Sequence, residues 1–182
     1  MNQEMDRAAY NKLKERKETI NKNSELINQL VDEVVRNYAG ELDEYIERVT
    51  RIIKSNTNKI SDDDVEKMTL KIPLFLYSAA SGLESLGVDG DIAKVAKQEV
   101  LNEAYMKVEG TIQDKTKFAE LQSQKEMLIE IVYSRAYKKL KLKIETANSI
   151  YSGVKKVMSK RIAELELSKL DRNNKTSEDW SV

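Results

Sequence analysis

The densest chemistry in the sequence is cationic. Between residues 135 and 161 stand Arg135, Lys138, Lys139, Lys141, Lys143, Lys155, Lys156, Lys160 and Arg161. Those nine basic side chains face the single carboxylate Glu145, a net of +8. Tyr133, Tyr137 and Tyr151 are interleaved with them. Clustered cations neutralise phosphates and release counterions, and exposed aromatic rings stack on unpaired bases. No segment offers an obvious base-reading motif. The chemistry this row suits is therefore sequence-tolerant binding of single-stranded DNA or another polyanion, with the nine cations and Tyr151 as candidate contacts. A second reading uses the same residues differently. Residues 25–66 hold 5 basic and 11 acidic side chains, a net of −6. The lysines could then be a solvated helix face, or pair with that acidic segment in the same or a neighbouring chain. Like charges four residues apart oppose helix formation slightly, so an anionic partner is expected on either reading.

Catalytic chemistry finds little to work with. The chain has no Cys and no His. That excludes disulfides, thiol nucleophiles, thiolate zinc sites and imidazole acid–base chemistry. Consecutive carboxylates on a helix diverge, so Asp62, Asp63 and Asp64 read as helix-start residues rather than a chelate. Asp89-Gly90-Asp91 lacks the later Gly and Glu of a calcium loop. Ser134 near Lys138, and Ser159 beside Lys160, have no oxyanion support. No Gly-rich phosphate loop is present. No enzyme activity, cofactor or metal is expected.

The elements that must carry the row are helices. Of 182 residues, 34% are charged and 40% apolar, with one Pro and six Gly, a balance that suits long amphipathic helices. Residues 1–22 read as a helix interrupted at 21–24, with Ser24 capping the next. Ile27, Leu30, Val31, Val34, Tyr38, Leu42, Tyr45, Val49, Ile52 and Ile53 then recur at three and four, with a kink expected at Gly40. Ser61 begins a further helix. Pro73 predicts a boundary, and residues 87–90, Gly-Val-Asp-Gly, predict a turn. Asp91 opens a helix to about Ile112 whose stripe includes Ile92, Val95, Val100, Leu101, Ala104, Tyr105 and Val108.

A connection at 113–115 precedes the longest pattern: Phe118, Leu121, Leu128, Val132, Ala136, Leu140, Ile144, Ala147, Tyr151, Val154, Met158, Ile162 and Leu165, with a polar stutter at Lys125. A continuous helix over 116–170 would be about 80 Å long. It needs another chain or a long partner helix to pack on, and Gly153 is where a break is expected. Residues 171–182 lack periodicity and predict a disordered tail, in which Trp180 could dock on a protein partner. The fold expected is all-α: an elongated, coiled-coil-like helical bundle with a very long C-terminal helix. Its segments are the N-terminal helices (1–60), a helical core (61–170) and the tail. Residues 70–83 are too short and polar to span a bilayer, and residues 1–10 lack the apolar core of a secretory signal. A cytoplasmic setting is expected.

Residues 70–165 resemble the phage recombination-mediator family typified by UvsY. The likeness lies in Leu70-Lys71-Ile72-Pro73 leading to Leu74 and Tyr77, in Tyr105 followed by Gly110, and in Leu140-Lys141-Leu142-Lys143-Ile144-Glu145 followed by Ser159-Lys160-Arg161-Ile162. The resemblance implies an all-helical homo-oligomer that binds single-stranded DNA and helps load a recombinase, in the cytoplasm of a bacterial host. The family's DNA-contacting cations fall on the helix before the Tyr…Gly pair. Here Lys94, Lys97 and Lys107 stand there beside Glu99, Glu103 and Glu109, so the contact moves to residues 135–161. The alternative is a helical protein–protein module, such as an inhibitor, scaffold or assembly factor, that mates through its segregated charges.

Overall fold

A computed structural model describes the backbone of residues 2–55 and 60–178, and the side chains of 12–55 and 60–170. It is all-α, with four helices and no strand among the described residues. They are α1 (Asn2–Ser55), α2 (Asp62–Lys107), α3 (Ile112–Gln122) and α4 (Gln124–Glu178). No described helix is long and apolar enough to cross a membrane.

The helices run further than local signals predict. Residues 21–24 do not interrupt α1. Asn and Ser cost only tenths of a kcal/mol each inside a helix, and no Gly or Pro accompanies them. The kink falls where it is expected, at Ala39 (φ −142°, ψ 17°), beside Gly40. Ser61 caps α2: its hydroxyl oxygen accepts from the Asp64 amide at 3.1 Å. α2 then passes through Pro73 without ending. An interior Pro costs about 3 kcal/mol. Met68 and Ile72, both in the stretch leading into Pro73, are buried at 2% and 0% exposure, each worth about 1.5–3 kcal/mol, enough to offset it.

Residues 87–90 are helical too, and make no turn. The true connection is 108–111 rather than 113–115. Gly110 adopts φ +144° there, and Thr111 caps α3 through a reciprocal capping box with Asp114. Gly153 leaves α4 intact. The break in the predicted 116–170 helix lies instead at Ser123 (φ −90°, ψ 10°), which is fully buried. Its N–H donates to the Ala119 carbonyl at 3.0 Å, and its own carbonyl accepts from the Met127 amide at 2.9 Å. Helical bonding continues on both sides, so the chain bends without unwinding. α4 also extends through Glu178, so residues 171–178 are helix rather than disordered tail; Trp180 lies outside the described residues.

The chain forms two compact units, each drawn from separate stretches of the sequence. One comprises Met1–Tyr38 and Gly82–Leu140. Its buried residues include Val31, Val35, Leu86, Ala93, Ala104, Ala119, Val132, Ala136 and Leu140. α1 and α2 touch where Gly82 meets Tyr38: a Cβ on that glycine would lie 3.0 Å from both the Tyr38 Cβ and its carbonyl oxygen. The Tyr38 hydroxyl donates to Asp89 Oδ2 at 2.6 Å.

The other unit comprises Ala39–Ser81 and Lys141–Val182. Val49, Val65, Met68, Ile72 and Val154 form its core, with Tyr45, Ile150, Tyr151 and Met158 packed around them. The Tyr45 and Phe75 rings lie 5.0 Å apart.

The predicted stripe of α2 divides between two faces. Of its residues Ala104 is buried, whereas Ile92 and Val95 point outward, as does Val88 before them. In the first unit Phe118, Leu121 and Leu128 are likewise exposed, and in the second so are Ile162 and Leu165. A long α4 finds its long partner helices within the chain, so its length alone does not require another chain.

Candidate nucleic-acid interface

All ten candidate residues lie on α4, whose 3.6-residue turn distributes them around the helix. Val132, Ala136 and Leu140 in one unit, and Ala147 and Val154 in the other, set the buried side. Residues adjacent to that side meet α1 and the start of α2. In the first unit Lys139 pairs with Asp32. In the second, Lys143 Nζ lies 2.7 Å from Asp43 Oδ2, both half-buried. Arg161 bonds both the Asp62 carboxylate and the Ile60 carbonyl. Three of the nine cations are thus engaged by the acidic stretch 25–66 of the same chain.

The remaining cations are exposed. Lys160 reaches Glu164 only at 3.7 Å, one turn along the same helix. Lys155 Nζ sits 4.8 Å from the centre of the Tyr151 ring, an intrahelical cation–π contact. Tyr151 itself is half-buried against the second unit's core. Arg135 and Lys138 in the first unit, and Lys141 and Lys156 in the second, make no ion pair among the described residues.

Tyr133 and Tyr137 do not stand free as stacking platforms. Tyr137 lies over Gly87: a Cβ added to that glycine would be 3.5 Å from the ring. Tyr133 Cβ lies 3.8 Å from the equivalent point on Gly90. The glycines that read as a turn instead lie on α2 beneath the Tyr137 ring and the Tyr133 Cβ of α4. Together they bound an open groove of about 370 Å³, with Leu86 in its floor and Lys94, Asp91 and Lys138 at its mouth. Nearby, Lys97 and Glu130 form a half-buried pair at 2.6 Å that ties α2 to α4.

The groove joins Lys138 and the tyrosines of α4 to one residue that charge counting on α4 passes over, Lys94; Arg135 is exposed but does not line it. Its signal in sequence is the spacing from Gly87 and Gly90, visible only once those glycines are placed on a helix. Chemically, the site brings together two tyrosines and two lysines, with Asp91 and the Lys97-paired Glu130 as the opposing charges. Among the described residues, no three acidic side chains come together to hold a metal ion. Set against protein-family models, curated proteins and solved structures, the chain matches none of them, so its functional reading rests on this geometry.

Proposed function

We propose that the chain is an accessory protein that binds single-stranded nucleic acid with little sequence preference, of the phage recombination-mediator type. The observation that carries this reading is the first unit's cluster. Lys138 and Lys94 keep exposed, unpaired charge at the groove walled by Tyr133 and Tyr137, and Arg135 adds a further unpaired charge on the same stretch of α4. Lys141 and Lys156 add free charge in the second unit. Cations supply sequence-independent affinity for phosphate, and a groove bounded by two tyrosines offers apolar contact to an unpaired base.

Fluorescence anisotropy with oligo-dT at low salt tests it. The full chain should bind, and Arg135→Glu with Lys138→Glu should weaken binding at least tenfold. The charge reversal Lys107→Glu, at an exposed site away from the groove, should change it much less. No binding, or equal losses in the two variants, sinks the reading.

A second reading, a helical protein-interaction module, is favoured by the outward apolar residues of α2. In the second unit these are Leu70, Leu74 and Tyr77; in the first, Val88, Ile92 and Val95. Such rows are the usual mark of a helix that docks on another.

A further inference from the structure

We propose that the outer row of α2 in the first unit is the docking site for the N-terminal stretch of α1 from a second copy of this chain, each copy giving and receiving one such contact.

The row consists of Val88, Ile92 and Val95, exposed at 59%, 61% and 57%. Steps of four and three place them on one stripe of α2, turned away from the buried Leu86 and Ala93. Three exposed carboxylates flank it, Glu84 one turn before Val88, Asp91 beside Ile92 and Glu99 one turn after Val95, against one exposed lysine, Lys94, so its border is acidic on balance. An apolar stripe with an acidic border fits an amphipathic helix with a basic border.

The chain contains such a helix. Residues 12–30 of α1 are exposed apart from half-buried Ile27, so the described residues leave that stretch without a helix to pack on. Leu13, Ile20 and Ile27 recur every seven residues, and Leu13 and Ile20 are exposed at 66% and 65%. Lys12, Lys14, Arg16, Lys17 and Lys22 border them against Glu15 and Glu18, a net of +3 over residues 12–22. Apolar spacing and charge sign both match the α2 row.

The same chain cannot satisfy the match. Tyr38 already holds α1 against the flank of α2 that carries Gly82 and Asp89, and α1 has no break before Ala39 at which to turn back. One helix-on-helix contact is small beside the roughly 800 Å² per partner of a stable interface. Two-fold exchange doubles the contact and closes the assembly at two chains.

The test is the light-scattering mass of the full chain, freed of nucleic acid, at tens of micromolar. The wild type should have twice the single-chain mass of 20.9 kDa. Ile92→Glu and Ile20→Glu should each give the single-chain mass with unchanged helical circular dichroism, because both sites are exposed. Lys14→Glu with Lys17→Glu should also give single chains. Adding Glu84→Lys and Asp91→Lys to that variant should restore the dimer, and this charge swap decides the matter if an apolar variant loses helicity.

A single-chain wild type, a larger assembly, or a dimer that survives both apolar variants overturns the proposal. Mass is read without nucleic acid and oligo-dT binding separately. Loss of one property with the other intact therefore counts against that reading alone.

Discussion

At the scale of residues, Tyr38 shows how a polar contact fixes a helix pair. Its hydroxyl donates to Asp89, and that bond, with burial and the nearby carboxylate charge, raises its pKa from 10.0 to about 12. The neutral phenol is therefore held more tightly in the folded chain than in the unfolded one. Its contribution to stability is whole below pH 10 and is lost as pH rises from 10 towards 12. Tyr38→Phe should cost about 0.5–1.5 kcal/mol at neutral pH and flatten that alkaline loss, as followed by denaturant melts from neutral pH upward. An unchanged alkaline profile would mean another group governs it. The cation row is legible from charge counts alone, but its partition is not. Whether Lys139 faces Asp32 or solvent depends on where α1 lies around α4, which no count of charges contains. The paired cations are not beyond reach of phosphate either, since exposed ion pairs are worth about 0–1 kcal/mol and yield easily to a polyanion.

At the scale of elements, the helical period is legible almost everywhere in the sequence, while its punctuation misleads. Gly costs about 1 kcal/mol and Pro about 3 in a helix interior, and packing of Ile72, Leu86 and their neighbours exceeds both. Ser123 carries no breaking signal, because its conformation is imposed by the bend it occupies. The stripe of α2 is legible as apolar but not as two-faced: three-and-four spacing that fills both sides of a helix looks like one broad stripe. Glycine roles can be separated by experiment. At Gly82 an added Cβ would meet Tyr38 backbone, which cannot swing aside, so Gly82→Ala should destabilise by about 1–3 kcal/mol despite its better helix propensity. Gly153 has nothing within 4 Å of its added Cβ, so Gly153→Ala should stabilise by about 0.5–1 kcal/mol. Thermal melts giving both variants the same sign would contradict the close approach at Gly82.

At the scale of the whole molecule, 31 basic and 31 acidic side chains cancel, so long-range attraction to nucleic acid is weak and affinity must come from local clusters. For single strands the logarithm of affinity falls by about 0.7 per neutralised phosphate for each tenfold rise in salt. The three free cations of the first unit's cluster, Lys94, Arg135 and Lys138, therefore give a slope of roughly −2. A steeper slope would mean that further cations of α4 join them, whether the exposed Lys141, Lys155, Lys156 and Lys160 or Lys139, Lys143 and Arg161 after leaving their carboxylates.

The same carboxylates set the order in which the chain closes. α1 and α2 meet through partners such as Tyr45 and Lys67, 22 residues apart, and α2 and α4 through Lys97 and Glu130, 33 apart. Asp32–Lys139 and Asp43–Lys143 span 107 and 100. Loop-closure entropy favours the two local hairpins first, so the α1–α4 seam is the last to zip. During synthesis α1 emerges before α4 and waits for it. Asp43→Lys, which sets two cations face to face across that seam, should speed unfolding while leaving the refolding rate nearly untouched in stopped-flow measurements. Slower refolding would place the seam in the nucleus instead.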